Sequence, residues 1–431
     1  MPHGNQTQHH KPGQTALTIT ALNENGYGVG QKAGQTLTVA RTVPGDQVLV
    51  TPRSSARWSA ADLVKLVKPG PDRVDSGCSA FDRGCGGCQW RHLSYAAQRT
   101  WKEKNLAAVL RAKAGYHGPI QPLVALEVPD GYRNKLSLKN VAGAWKFLTE
   151  TEGEALAPRG CPVQTPALQE AWERLRSTKA APGIDQLHLR SNAAGQVGLH
   201  AFVNGRGDAT LAPLLEAVRG VGIGATGRSG YQLAAGEDAL AQTIGPLTWR
   251  IPHNGFYQTN GPLAEALLEL VQRETQLGGR ERLLDLYCGA GFFGVALAAR
   301  AREVVGIEEN PQSVEAASTN AAAAGAANAR FVAGDLGLVL AGIPAEPDEV
   351  AVVDPPREGL LPRALQTLIE RAPQRIVYVS CSPASLARDL KTLLAAGWRG
   401  TACTPVDMFP HSSHLEVVVT LERVIASKTK R

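Results

Sequence analysis

No stretch of this 431-residue chain approaches the roughly 18 consecutive apolar residues of a membrane-spanning helix, so no membrane segment is expected. The first residues, MPHGNQTQHHKPG, lack the apolar core of a secretory signal and read as a disordered tail over residues 1–12 of a cytoplasmic protein. Charge of either sign is modest: a net +6 with a pI near 8.9 permits a polyanionic partner without requiring one. Aromatics are scarce at 5%, so stacking residues are few and worth naming one by one. The seven cysteines are an odd count, and several stand in C-x-x-C spacing or at the ends of apolar runs. That argues against a disulfide framework and for metal binding and catalysis.

What is present suffices for about three domains of this length. From Thr15 to Lys68, short apolar runs (TALTITAL, LTVA, PGDQVLV, ADLVKLV) alternate with turn signals at Asn25-Gly26 and Pro44-Gly45. This predicts a small β-barrel over residues 13–70, of a kind that often binds single-stranded nucleic acid. Arg41, Arg53, Arg57, Lys65 and Lys68 supply its charge, and Tyr27 and Trp58 are candidate stacking residues. Leu93 to Ala114 has helical propensity with Leu106, Val109 and Leu110 on one face, and should stop near Gly115 and Gly118, just ahead of Pro119. Residues 131–250 mix short strands with a helix near Ala167 to Ser177 and read as an antiparallel sheet domain. There Tyr132, Arg133, Asn134 and Lys135 form a basic, aromatic stretch that could touch RNA.

Cys78, Cys85 and Cys88 form C-x6-C-G-G-C, and Cys161 follows at a distance. Four thiolates suit a tetrahedral zinc site or a 4Fe-4S cluster, and spacing alone leaves both open. From Arg282 onward, strands (RLLDLY, EVVGIEE, RFVAGD, EVAVVDPP, RIVYVSCS, LEVVVTLE) alternate with helical runs, the pattern of a parallel, doubly wound sheet. The turn from Cys288 to Gly294 matches G-x-G-x-x-G between a strand and a helix, which fits a nicotinamide or an S-adenosylmethionine site. Asp285 before the glycines suits a cationic ligand, Glu308 can accept ribose hydroxyls, and Asp354-Pro355-Pro356-Arg357 ends a strand with a stiffened loop. Together they favour S-adenosylmethionine.

Cys381 ends the apolar run IVYVS and is followed by Ser382-Pro383, so its thiol is placed at a strand tip, where ligands gather in such sheets. Carbon 5 of uracil attacks a methyl sulfonium only after a thiolate has added to carbon 6, and the carbon 5 proton must then go to a base. Cys381, Glu416 and the glycine turn supply those three elements. His411, His414 and Glu416 are also conceivable metal ligands, but their spacing matches no metal motif.

These residues carry a resemblance. The barrel, the cysteine set, FYQTN at Phe256 to Asn260, DLYCGAGFFG, GIEEN, DPPR, SCSP and HSSHLE resemble the RNA uracil-5-methyltransferases over nearly the whole chain. The resemblance implies a Rossmann-like methyltransferase sheet behind a TRAM-like barrel and a central mixed α+β domain. It implies a 4Fe-4S cluster on Cys78, Cys85, Cys88 and Cys161. S-adenosylmethionine contacts are implied from Gln258, Tyr287, Phe292, Glu308, Asp335 and Asp354, with Cys381 as nucleophile and Glu416 as base. The implied division is a barrel at 13–70, a central domain at 71–92 and about 120–255, and a methyltransferase domain at about 93–119 and 256–431. Pro356 and Arg357 after Pro355, where cytosine enzymes of the neighbouring family carry a cysteine, favour uracil. The barrel and cysteine set favour 23S ribosomal RNA over transfer RNA, and a monomer is expected. A nicotinamide oxidoreductase would not need Cys381 and Glu416, and a noncatalytic RNA-binding assembly factor would tolerate loss of Cys381.

Overall fold

The protein, described from a computed structural model, is placed over residues 13–54, 56–148, 155–180, 182–204 and 211–424; the tail expected at 1–12 lies outside them. Strands β1 (Thr15–Thr18), β2 (Ala21–Leu22), β3 (Gly28–Lys32), β4 (Gln35–Val39), β5 (Gln47–Pro52) and β6 (Trp58–Lys68) form a sheet in the order β1-β5-β6-β4-β3-β2. Only Ile19 and Thr20 separate β1 from β2, and the Thr20 amide donates to the Val29 carbonyl at 2.8 Å. The two edges therefore run into one another and the sheet closes as a barrel around Leu17, Leu37, Val39, Val48 and Val50. Closure brings β1 so near β3 that a Cβ at Gly30 would lie 2.5 Å from the Thr18 carbonyl oxygen.

The helix Tyr95–Val109 is N-capped by Ser94 and continues as a wider turn, Leu110–Ala114, before Gly115 ends it at φ +64°. Its Ala97 packs with Leu22, Val43 and Trp90, while Leu106, Val109 and Leu110 enter the core that holds Tyr378 and Leu390. One helix thus pins the barrel to the C-terminal sheet.

The central sheet comprises β7 (Lys135–Val141), β8 (Ala144–Leu148), β9 (Ala155–Leu156), β10 (Ile184–Ser191), β11 (Val197–Val203), β12 (Gly222–Gly227) and β13 (Gly230–Gly236), in the order β13-β12-β11-β10-β7-β8-β9. The expected antiparallel sheet is mixed, because β11 and β12 run parallel. The helix Ala212–Val218 lies in their connection and carries the chain back to the starting end. The hairpin of β14 (Ala239–Ile244) and β15 (Leu247–Pro252) packs Trp249 and Ile251 against Ala264, Ala290 and Ala316 of the C-terminal unit.

In that unit β16 (Arg282–Leu286), β17 (Glu303–Glu308), β18 (Ala329–Ala333), β19 (Glu349–Val353), β20 (Arg375–Ser380), β21 (Trp398–Val406) and β22 (Glu416–Arg423) are ordered β18-β17-β16-β19-β20-β22-β21. Neighbours from β18 to β20 are parallel, as the alternation predicts. The end of the sheet corrects the expectation: β22 runs antiparallel to both β20 and β21. The residues between β21 and β22 contain no helix, so the chain returns in the opposite direction without a crossover. Among the described residues no helix is long and apolar enough to cross a membrane.

Candidate active site

The reversed strand decides the chemistry. Ser380 pairs with Val417 across β20 and β22, so the next residue outward on each, Cys381 and Glu416, stands at the same edge of the sheet. Had β22 been parallel, Glu416 would lie at the far end. Glu416 is 4% exposed, and its carboxyl is raised well above the usual range by burial and then by Asp354. Burial, followed by the charges of Glu416 and Asp354, pushes the Cys381 thiol up to about 11, with Arg357 acting in the other direction.

Cys381 opens on a cavity of about 500 Å³, the gap between three parts of the chain. Arg357, Cys381 and His414 form one wall, Lys102 and Asn105 of the long helix another, and Asn25 and Tyr27 of the barrel the third. Arg357 donates to His414 Nδ1 at 3.0 Å. Lys102 and Asp407 form a fully buried ion pair behind this wall, and the Tyr95 hydroxyl donates to Asp407 at 3.0 Å. Of these residues the sequence singled out Asn25, Tyr27, Arg357, Cys381 and His414; Lys102, Asn105 and Asp407 had no signal, since nothing local marks them as neighbours.

The glycine turn is held from beneath. Asp285, fully buried in β16, accepts from the Gly294 amide at 2.7 Å, and a Cβ at Gly294 would lie 2.7 Å from that oxygen. Its other oxygen has no partner among the described residues, and burial pushes the carboxyl up to about 7. Tyr287 leaves the strand in the left-handed region at φ +65°, a strained conformation of the sort found at ligand sites. Glu308 accepts from the Gly289 amide at 3.2 Å and the Asn310 amide at 3.0 Å.

Gln258, Tyr287, Phe292 and Asp354 line one narrow cleft of about 40 Å³ together with Gly289 and Tyr257. Phe292 lies edge-on to Tyr257 at 6.1 Å and tilted on Trp249 at 5.5 Å, an aromatic wall of which Trp249 was not anticipated. Burial and then the charge of Asp285 push Asp354 up to about 7. Glu308 reaches the cleft through Gly289. Asp335 does not line it: exposed, it caps the helix Leu336–Gly342 by accepting from the Leu338 amide at 2.9 Å. Asp354 lines the cleft and Asp285 lies buried beneath the glycine turn; both are costly to ionise alone, which a bound sulfonium cation would relieve.

Cys78, Cys85, Cys88 and Cys161 all line a separate cavity of about 240 Å³, beside Arg91 and Arg133. Burial, then neighbouring thiols, pushes Cys88 up to about 12 and Cys161 up to about 11. Thiols so placed are poor anions until a cation joins them, so the donor set fits an iron-sulfur cluster. Among the described residues no three His, Cys, Asp or Glu are gathered closely enough to hold a single metal ion, and His411, His414 and Glu416 do not form such a group.

A doubly wound sheet with a cleft at its glycine turn, walled by aromatics and bordered by Asp354, is the arrangement of an S-adenosylmethionine-dependent methyltransferase. The tRNA (uracil-5-)-methyltransferase family matches residues 232–336 and 346–424. An uncharacterized RNA methyltransferase of Gloeobacter violaceus is 33% identical, with 95% of this chain and 97% of that protein aligned. Another from Nitratidesulfovibrio vulgaris is 33% identical over 94% and 95% of the two chains. The crystal structure of Pyrococcus abyssi tRNA (uracil-54, C5)-methyltransferase with S-adenosyl-L-homocysteine superposes with a TM-score of 0.75 at 26% identity, covering 94% of this chain and 100% of that one. The chain belongs to the RNA uracil-5-methyltransferase family.

Proposed function

We propose that the protein methylates carbon 5 of a uridine in RNA through a covalent adduct on Cys381. The observation that carries this reading is the shared edge of Cys381 and Glu416 beside Asp354 of the cleft. The Cys381 thiolate, favoured by Arg357, adds to carbon 6 of the uracil and leaves the ring as an enolate. Bound S-adenosylmethionine supplies an electrophilic methyl group, which carbon 5 takes. Glu416 then removes the carbon 5 proton, the carbon 5–carbon 6 double bond re-forms, and the thiolate of Cys381 leaves. Gln258, Tyr287, Phe292 and Asp354 hold the donor in the cleft, with Glu308 braced by the glycine turn; Asp335, outside the cleft, reaches at most its rim. The 500 Å³ cavity between barrel, helix and sheet receives the target nucleotide. A 4Fe-4S cluster on Cys78, Cys85, Cys88 and Cys161 would cross-link the segment around Cys88 to the loop of Cys161. Zinc on the same four thiolates is the alternative.

For the substrate, 23S ribosomal RNA is the reading that the barrel and cysteine set suggest. Transfer RNA is the second reading, because the Pyrococcus abyssi transfer RNA enzyme matches almost the entire chain, barrel included. Domain layout therefore does not separate the two. The experiment is mass spectrometry of ribosomal and transfer RNA from cells with and without the protein. Loss of one 5-methyluridine in ribosomal RNA supports the first reading, loss in transfer RNA alone supports the second, and no loss in either sinks the proposed reaction.

A further inference from the structure

The central sheet has a second face that is not apolar. Along β7, β10 and β11 the alternation sends Leu136, Leu138, Leu187, Leu189, Leu199 and Ala201 into the hydrophobic core. Lys135, His188, Arg190 and His200 stand on the opposite face. The register sets Arg190 directly across from Lys135, and His188 directly across from His200. Like charges so opposed weaken a ladder, so this arrangement costs stability in the isolated protein. The loop after β15 roofs this face with His253, whose ring enters where Gly198 and Gly222 carry no side chain; a Cβ on either would lie 2.6 Å from it.

These groups enclose a cavity of about 30 Å³, room for about two waters or for the two non-bridging oxygens of a phosphate. Among the described residues no carboxylate lines it. Arg190 Nη1 is buried without a hydrogen-bond partner among the described residues, and burial brings the guanidinium down to about 10. Burial likewise lowers His188 and His200 to about 4. Asp238, the acid whose charge reaches His253, is itself paired with Arg250. A buried guanidinium opposed by an ammonium, with no carboxylate beside it among the described residues, favours an anionic ligand.

We propose that this pocket binds a phosphodiester of the RNA backbone. The pocket adjoins the cofactor cleft: Ile251 lines both, and Asn254 and Gly255 on its rim lead straight into Phe256, Tyr257 and Gln258 of the cleft. A strand anchored here is held beside the methyl donor. This inference rests on the reading of the protein as an RNA methyltransferase.

The test uses the full-length, cluster-loaded protein and its variants Arg190→Gln and Lys135→Gln, the second reading the same site from the neighbouring strand should the first not fold. Binding of an RNA substrate is followed over a range of KCl concentrations, alongside S-adenosylmethionine affinity and melting temperature. The expected result is RNA binding weaker by about tenfold and a salt slope lower by about one, with cofactor affinity unchanged. The melting temperature should stay level or rise, because an unpaired buried charge is gone; a structural role would lower it. RNA affinity and salt slope equal to wild type overturn the proposal while leaving the methyltransferase reading intact, and so does joint loss of RNA and cofactor binding with a lowered melting temperature. Should inorganic phosphate raise the melting temperature of the wild type alone while Arg190→Gln binds RNA normally, the pocket takes a free anion and the RNA assignment fails. A wild-type protein that neither binds nor methylates RNA overturns the underlying reading as well.

Discussion

Gln89 and Ser413 are joined by two hydrogen bonds: the Ser413 amide, at 2.9 Å, and its hydroxyl, at 2.8 Å, both donate to the Gln89 carboxamide oxygen. The amides of Gln89 and Trp90 donate to the His411 carbonyl at 2.8 and 2.9 Å. Arg91 grips Asp130 at 2.7 and 3.0 Å, and Asp130 lies 3.4 Å from His411 Nε2. The segment that follows Cys88 thus holds the loop that ends at Glu416. Replacing Cys88 by Ser should loosen residues 409–416, slow methylation at saturating cofactor and leave cofactor affinity unchanged. Hydrogen exchange across that loop is the check; undiminished protection alongside a lowered rate would show that the coupling runs elsewhere.

Cys381 is absent from the walls of the cofactor cleft but open to the large cavity. Cys381→Ala should therefore reduce RNA methylation to background and change S-adenosylmethionine affinity by no more than about twofold. Calorimetry on the variant decides: a large loss of cofactor binding would make Cys381 a structural residue.

The parallel strands were legible because each is a short apolar run closed by glycine, proline or an acid, and Cys381 was legible as the residue just past one of them. The reversal of β22 was not. It depends on β21, whose WRGTACTPV is broken by Gly400 and Pro405 and carries no strand signature. Glu416 was offered as the base that the reaction needs and its role was implied by the resemblance, whereas the register that brings it beside Cys381 is a tertiary fact. The walls of the nucleotide cavity escaped for the same reason, since Lys102 meets Asp407 across most of the chain. The opposition of Arg190 and Lys135 likewise exists only once β10 and β7 are paired.

If Glu416 takes the carbon 5 proton, its removal as a base stalls the reaction after methyl transfer, with the RNA still bonded to Cys381. Glu416→Gln keeps the shape of the side chain and should accumulate an RNA adduct that survives denaturing electrophoresis. No adduct with a variant that still binds cofactor and RNA would assign the proton to another group.

Asp354, half-buried where it lines the cleft and raised to about 7, should link cofactor binding to pH. A sulfonium cation favours the ionised carboxylate, so binding releases a proton below about pH 7 and affinity increases as pH rises through that value. In the protein without cofactor the sign is opposite: a carboxyl raised on folding contributes stability at low pH that is lost as pH rises from the unfolded value near 4 to about 7. Asp354→Asn should reduce both dependences, leaving the share that Asp285 contributes in the same window, and weaken cofactor binding. Calorimetry in buffers of differing ionisation enthalpy counts the proton, and pH-independent binding by the wild type would remove Asp354 from this role.

Lys102 and Asp407 are both fully buried, and each carboxylate oxygen of Asp407 is used, one by Lys102 and one by Tyr95. Lys102 also donates to the Phe409 carbonyl at 3.0 Å, so the pair fixes the start of the loop that leads to Glu416. Asp407→Ala strands a buried ammonium and should cost about 3–5 kcal/mol of stability, whereas Lys102→Met with Asp407→Leu removes both charges and should recover most of that loss. Urea unfolding of the three proteins separates the terms. A cost under about 1 kcal/mol for Asp407→Ala would mean that Lys102, which borders the large cavity, swings into water when its partner is removed. Recovered stability with methylation still impaired would identify the pair as a device for holding the loop in place.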